Sequence, residues 1–132
     1  MTSDEITASP AASVAGPYSP VVRCPAQQDL IFVSGQLPVG EGGGLEPGGV
    51  GEQVAAAVRN ALAVASSAGA GAEDVVKVTV YTTDISDMEA LNRAYVEALG
   101  GARPARTTVE VSRLPKGALV EVDLIATVPA RP

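Results

Sequence analysis

Apolar residues recur along this chain at two spacings, the alternation of a strand and the three-and-four spacing of a helix. A continuous apolar run within 29–39 predicts a buried strand, and alternation at 74–84 predicts another with valines on one face. Three more strands are predicted, at about 20–23, 107–112 and 118–128. Each of these strands is too short to fold alone, so we expect them to join in one sheet.

Two segments between these strands have the apolar spacing of an amphipathic helix. The first begins at Val50 and ends before Gly69, and the second ends at Gly100, since glycine is common just after the last helical turn. Ser86 is the predicted N-cap of the second helix, with Glu89 completing a capping box. The order of elements predicts an α+β domain in which both helices cover one face of the sheet.

The uncovered face of the predicted sheet is mixed in polarity. We expect it to carry alternate residues of the last two strands, namely Arg106, Thr108, Glu110 and Ser112 from one and Glu121, Asp123, Ile125 and Thr127 from the other. Such a face is either solvated or packed against another subunit.

Two segments are predicted to be irregular. Residues 1–15 are rich in Ser, Ala, Thr and Pro without periodicity, which indicates a flexible N-terminal segment ahead of a single domain at 16–132. The glycine-rich segment at 40–49 lacks the glycine order of a phosphate-binding motif, so it is predicted to be a plain hairpin loop.

The size and composition of the chain argue against several classes of function. Its 132 residues, 46% of them hydrophobic, fit one compact domain. A net charge of -6 argues against nucleic acid as the main partner, and a chain with no His and one Cys lacks the usual parts of a zinc site. No apolar stretch is long enough to cross a membrane and no secretory signal is evident, so we expect a cytoplasmic protein.

Basic residues cluster at 103–116 in this otherwise acidic chain. Among them, Arg106 follows Pro104 at the start of a predicted strand, whereas the others lie at strand ends or beside the turn. Its guanidinium either pairs with Glu110 or Glu121 at the surface, or holds the carboxylate of a ligand through two parallel hydrogen bonds.

A simple hairpin does not bring Arg106 close to Glu121. With the turn centred on Lys116, Glu121 would lie opposite residue 111, about 17 Å along the strand from Arg106. Either the two strands pair differently, or the two residues meet across a subunit boundary.

Four segments of the sequence together resemble the RidA family, also called the YjgF family of reactive-intermediate deaminases. They are GPYSP at 16–20, VSGQLPV at 33–39, VKVTVYTTDISDMEALNRAY at 76–95 and RPARTTVEVSRLPKGALVEVDLIA at 103–126. The resemblance implies a chorismate-mutase-like α+β fold, with a six-stranded mixed sheet, two helices on one face and a trimeric, barrel-like assembly. The active sites of this homotrimer would lie between adjacent subunits.

The resemblance also implies a reaction. Members hydrolyse 2-imino acids, formed from enamines such as 2-aminoacrylate, to 2-keto acids and ammonia, without a metal or other cofactor. On the matching positions, Arg106 would hold the substrate carboxylate, and Glu121 would orient or activate the attacking water and transfer protons to the leaving ammonia. The Thr108 backbone would contact substrate or water, and the cleft would be lined by Tyr18, Ser34, Gly35 and Asn92.

Structural explanations stand beside these roles. Tyr18 could be a packing aromatic, Ser34 and Gly35 a turn at the end of a strand, and Asn92 a solvated residue on its helix. The sequence also departs from the family at three positions: Arg103 and Ala98 stand where aromatic residues are common, and Thr108 where many members have cysteine. These departures bear on substrate preference rather than on the type of reaction.

Two other functions fit the resemblance. One is a dedicated biosynthetic enzyme in which the same arginine holds a carboxylate-bearing enamine or imine that is cyclised, dehydrated or hydrolysed. The other is a non-catalytic module that binds small carboxylates. The older description of family members as ribonucleases has no support in a chain of net charge -6 without His.

Overall fold

A computed structural model describes residues 16–132 and the backbone of 4–5. In chain order its elements are β1 (Asp4–Glu5), β2 (Val22–Arg23), β3 (Gln28–Gln36), α1 (Val50–Ser67), β4 (Val75–Thr82), α2 (Met88–Leu99), β5 (Ala105–Glu110) and β6 (Val120–Pro129). The remainder of the N-terminal segment that was predicted to be flexible lies outside the described residues. The predicted α+β class, with two helices and a mixed sheet, is confirmed.

The main sheet has four strands rather than the expected six. Its order is β3-β6-β4-β5, with β4 and β5 parallel and the other pairs antiparallel. Strand β2 does not join this sheet, because its two residues pair with β1 in a separate ribbon. Among the described residues just before β2, Ser19 reaches the main sheet through a bridge with Ala105, beside β5.

Strands β5 and β6 do not form a hairpin and do not pair with each other, so the geometry of a simple hairpin does not apply. β4 lies between them, and the connection after β5 crosses its end through a short 3-10 helix at Pro115–Gly117. Lys116 in this connection has a φ of 61°, in the left-handed region that side chains rarely adopt. Because β4 separates it from β6, β5 is an edge strand of the described sheet.

The two helices pack on one side of the sheet, here called the helix face. Their apolar stripes meet the inward residues of β4 and β6, and the fully buried side chains include Val54, Val58, Leu91, Val78, Val80, Val120 and Val122. Gly100 ends α2 in the left-handed conformation, as predicted. The predicted N-cap is wrong: Asp87 caps α2 by accepting from the Ala90 N–H at 3.2 Å, while Ser86 donates to Asp84 instead.

The opposite side of the sheet, here called the open face, is covered by neither helix. Phe32 is 70% exposed there, and Leu30 and Val109 are exposed as well. Glu121, Asp123 and Ile125 lie on this face, as expected. For Arg106, Thr108 and Glu110 the expectation is wrong: the parallel register sets them beside Val78, Val80 and Thr82, on the helix face.

Candidate active site

The Arg106 guanidinium lies between two tyrosine rings. Its Cζ atom is 5.0 Å from the ring centroid of Tyr18 and 4.9 Å from that of Tyr95. At these distances the electron-rich ring faces attract the cation on both sides. Tyr18 belongs to the segment beside β5 and Tyr95 to α2, so two separate parts of the chain fix the position of one side chain.

A hydrogen bond fixes the guanidinium further. Its Nη1 donates to the Asn92 side-chain oxygen at 2.7 Å, whereas its Nε is buried and has no partner in the described part of the chain. Burial lowers the pKa of Arg106 and the two tyrosines oppose this shift, but a guanidinium stays cationic at neutral pH. Its Nη2 and the second hydrogen of Nη1 are therefore the donors left for a ligand.

The predicted surface ion pair of Arg106 is not formed among the described residues. Glu110 accepts instead from the Ile85 backbone N–H at 3.0 Å, and Glu121 lies on the open face. The described salt bridges are Arg93 with Glu89 and Arg131 with Asp29. A half-buried cation without an acidic partner is ready to accept an anionic ligand.

The segment GPYSP holds Tyr18 over Arg106 through backbone contacts. The Ser19 N–H donates to the Pro104 carbonyl at 3.2 Å and its buried hydroxyl donates to the Arg103 carbonyl. A β-carbon added to Gly16 would lie 2.9 Å from the Arg106 Nη2, so glycine allows the close approach. The segment is thereby attached to the two residues that precede the arginine strand.

These residues border a cavity of about 290 Å³. It is lined by Tyr18, Ile85, Met88, Asn92, Arg106 and Thr108. The Thr108 hydroxyl and the Tyr95 hydroxyl are buried nearby without partners in the described chain. Burial raises the pKa of Tyr95, so its phenol is neutral at physiological pH.

A second group of predicted site residues lies on the open face. Gly35 is in β3 and Glu121 in β6, and a β-carbon added to Gly35 would lie 2.2 Å from a Glu121 carboxylate oxygen. Ser34, the residue before Gly35, is exposed. The absence of a side chain at Gly35 therefore leaves the space in which the Glu121 carboxylate sits.

The two groups do not meet within one chain. Arg106 is in register with Val78, and Glu121 with Tyr81, so two strand spacings and three residues separate their backbones. These spacings correspond to about 14 Å between the two Cα atoms. The side chains also point to opposite sides of the sheet, which increases the separation of their charged ends.

Sequence reasoning missed three residues of the first group. Tyr95 was not predicted as a site residue, although it follows Asn92 by three residues on the second helix and therefore shares its helix face. Ile85 and Met88 were not predicted to border the site. Tyr95 was detectable from its spacing, whereas the other two depend on how the loop before α2 folds.

Larger grooves occur elsewhere on the molecule. One of about 570 Å³ lies between α1 and α2, and its lining includes Ala55, Ala90 and Ala94 together with Arg59 and Arg93. Both of these arginines are exposed, so solvent screens their charge. The smaller cavity at Arg106 therefore offers the better-defined anion site.

In the part of the chain that the structure describes, no helix is both long and apolar enough to cross a membrane. The cytoplasmic location expected from the sequence stays a prediction.

Comparison with known proteins gives a consistent result. A family model described as Endoribonuclease L-PSP matches residues 8–128. A RutC family protein of Pyrococcus abyssi is 44% identical over 112 residues, which cover 84% of this chain and 86% of that protein. A goat (Capra hircus) protein named 2-iminobutanoate/2-iminopropanoate deaminase is 38% identical over 122 residues, 92% of this chain and 87% of that one.

A solved structure agrees with these sequence matches. RidA from the Antarctic bacterium Psychrobacter superimposes with a TM-score of 0.71 at 35% identity, covering 88% of this chain and 92% of that chain. The family match at residues 8–128 spans both candidate groups of site residues.

Proposed function

The chain belongs to the RidA family, and from this premise we propose that it hydrolyses 2-imino acids such as 2-aminoacrylate, in its imine form, and 2-iminobutyrate. Water adds to the C=N carbon, the C–N bond breaks, and the products are a 2-keto acid and ammonia. One water is consumed and no electrons are gained or lost. A protonated imine is already electrophilic, so the protein needs mainly to orient it and to supply the water.

One observation carries this proposal. Arg106 is a half-buried cation held by Tyr18, Tyr95 and Asn92, with donors left free and no acidic partner in the described chain. Two parallel N–H donors fit the two oxygens of one carboxylate. Every 2-imino acid carries such a carboxylate next to the reacting carbon.

The proposal gives Glu121 the proton chemistry. A carboxylate near the reacting carbon can accept a proton from the attacking water and return one to the leaving nitrogen. Gly35 leaves room for this carboxylate, and Ser34 is the residue before Gly35 in the chain. Thr108, beside the cavity, would contribute its backbone groups to the substrate or the water.

Because the two groups of residues are separated within one chain, the proposal requires them to meet between chains. We therefore propose a homotrimer whose sheets pack through their open faces. The exposed Leu30, Phe32 and Val109 support such a contact, since large apolar groups on one surface mark interaction sites. Arg106, on the edge strand β5, would then lie at the rim of this contact, next to Glu121 of the neighbouring subunit.

The test is keto-acid and ammonia release from 2-aminoacrylate and 2-iminobutyrate produced in place by an amino-acid dehydratase. We expect wild type to accelerate release over the spontaneous rate, and Arg106→Ala to reduce kcat/KM at least a hundredfold, because orientation of the substrate is lost. Arg93→Ala, which removes an exposed arginine on α2, is the matched control and should stay near wild type.

Two results would overturn the proposal. The first is no acceleration by folded wild-type protein. The second is equal activity of the Arg106→Ala variant. If wild type does not react but binds small 2-keto acids, and Arg106→Ala removes that binding, a carboxylate-binding module replaces the enzyme.

A further inference from the structure

We propose that Ile85 is a specificity-determining residue that favours substrates with an apolar aliphatic side chain, and that Glu110 holds it in place. The inference rests on the proposed function, because it assigns the side-chain preference of the same site. It concerns the part of the cavity that does not bind the carboxylate.

The cavity at Arg106 has two chemically different sides. Arg106, Asn92 and Thr108 supply its polar side. Ile85, Met88 and the ring of Tyr18 supply its apolar side. When the carboxylate binds Arg106, a small cavity of about 290 Å³ brings the remaining carbons of a short substrate close to this apolar side.

Ile85 leaves apolar surface open at the cavity. The residue is 43% exposed, and it lines the cavity from the loop that precedes α2. An aliphatic group placed against it would remove apolar surface of both partners from water, which stabilises the complex. A charged or strongly polar side chain would lose hydration there without a hydrogen-bond partner in return.

Hydrogen bonds fix the loop that carries Ile85. The Ile85 N–H donates to a Glu110 carboxylate oxygen at 3.0 Å, so the last residue of the arginine strand holds the loop directly. Asp84 accepts from the Ser86 N–H at 2.9 Å and from its hydroxyl at 2.6 Å, and the Thr83 N–H donates to the Leu119 carbonyl at 2.9 Å.

These contacts distinguish Ile85 from a residue that is exposed by chance. The loop is attached to Glu110 of β5, to Leu119 just before β6 and to itself, so the backbone of Ile85 is held beside the cavity. Glu110 is on the same strand and the same face as Arg106 and Thr108. One strand thus positions both the anion site and the apolar side of the cavity.

The test compares two imines made in place by an L-amino-acid oxidase, one from leucine and one from alanine. Both carry the carboxylate that Arg106 would bind, so they differ only in the aliphatic group. The quantity measured is the ratio of their kcat/KM values, from initial rates of keto-acid formation above the spontaneous rate. The variants are Ile85→Ala, Glu110→Ala and Glu110→Gln, with Val64→Ala as control.

We expect Ile85→Ala to lower the ratio of kcat/KM for the leucine imine to that for the alanine imine about five- to tenfold. The effect should be smaller than in a closed apolar pocket, because Ile85 is partly exposed to solvent. Glu110→Ala should lower it about threefold by loosening the loop, while Glu110→Gln keeps a side-chain oxygen that can accept from Ile85 and should match wild type. Val64 has the same 43% exposure on α1, so Val64→Ala reports any general effect of removing exposed apolar surface.

The possible results separate the two proposals. If wild type hydrolyses both imines and the ratio is unchanged in Ile85→Ala, the specificity assignment is wrong and the proposed function stands. Equal loss on both imines, with altered association of subunits, would make Ile85 a subunit contact and would also overturn the assignment. If wild type hydrolyses neither imine, both proposals fail.

Discussion

Arg106 and Glu121 lie on opposite faces of one sheet, with strand β4 between the strands that carry them. Arg106 points to the helix face, where it contacts Asn92 and Tyr95 of α2. Glu121 points to the open face, beside Gly35. A single chain therefore holds two separate halves of the proposed site, and the proposed homotrimer would complete each half with residues of another copy.

Mixing two inactive variants tests this arrangement. Arg106→Ala and Glu121→Ala subunits, each inactive alone, should regain activity after they are unfolded and refolded together. In randomly assorted trimers about one quarter of the sites combine an intact Arg106 with an intact Glu121 from the neighbour. We therefore expect roughly a quarter of wild-type keto-acid release.

The control is each variant refolded alone, which should stay inactive. No recovery in a mixture in which native mass spectrometry finds both variants in one trimer would contradict a site shared between subunits.

Sequence alone predicted the local structure of the chain well. The longer strands and both helices occur near their predicted positions, because each has a clear apolar period and each helix is followed by a glycine. The N-cap of α2 was the exception, since Ser86 and Asp87 are both good capping residues and the choice depends on Asp84, which binds Ser86.

The pairing of strands was harder to predict. Alternation places Arg106 and Thr108 on the same face of β5, but it does not say which face that is. The answer depends on the parallel register with β4, where Arg106 lies beside Val78. A register is set by contacts between distant segments, so the spacing of residues along β5 carries no record of it.

The open face should be required for assembly. Phe32→Glu places a charge on the most exposed apolar residue of this face, and burial of an unpaired charge is costly. We expect sedimentation analysis to find monomers and kcat to fall about a hundredfold, because each site loses one half. The control Val64→Glu on α1 should remain a trimer, and equal dissociation of both variants would argue against the open face as the contact.

The hydroxyl of Tyr95 should be dispensable for stability, whereas the aromatic ring of Tyr95 should be required for it. The hydroxyl is buried without a partner in the described chain, so Tyr95→Phe should raise the free energy of unfolding by about 1 kcal/mol. Tyr95→Leu removes the ring face next to Arg106 and should lower that energy by about 2 kcal/mol. Urea denaturation at fixed protein concentration measures both, and destabilisation by Tyr95→Phe would indicate a hydroxyl partner such as a bound water.

The stability of the protein should fall at high pH through Tyr81. Its hydroxyl donates to Asp123 at 2.8 Å, and this hydrogen bond, followed by burial and the charges of Asp123 and Glu121, raises the pKa of Tyr81 above its ordinary value of 10.0. The contribution to stability is therefore complete below pH 10.0 and is lost as the pH rises through the folded-state pKa.

Tyr81→Phe lacks this titration and provides the comparison. The difference in unfolding free energy between wild type and Tyr81→Phe should be constant from about pH 8 to 9.5 and should shrink from about pH 10 upward. A difference that does not change over this range would show that the hydrogen bond to Asp123 is not formed in solution.

Gly35 should be essential for the chemistry but not for the binding of substrate. A methyl group at this position would lie 2.2 Å from a Glu121 carboxylate oxygen, so Gly35→Ala must displace that carboxylate or move β3. We expect kcat to fall about a hundredfold with KM changed less than threefold, because Arg106 still binds the substrate carboxylate. Gly42→Ala is the matched control, since a β-carbon there meets nothing within 4 Å.

The effects on kcat and on KM distinguish the roles of Arg106 and Gly35. Loss of the Arg106 guanidinium should impair binding and orientation together, whereas loss of room for Glu121 should impair only the water and proton steps. If Gly35→Ala raises KM as strongly as Arg106→Ala, Gly35 contacts the substrate itself. In that case the space above β3 holds part of the ligand, and Glu121 is displaced from the role of general base.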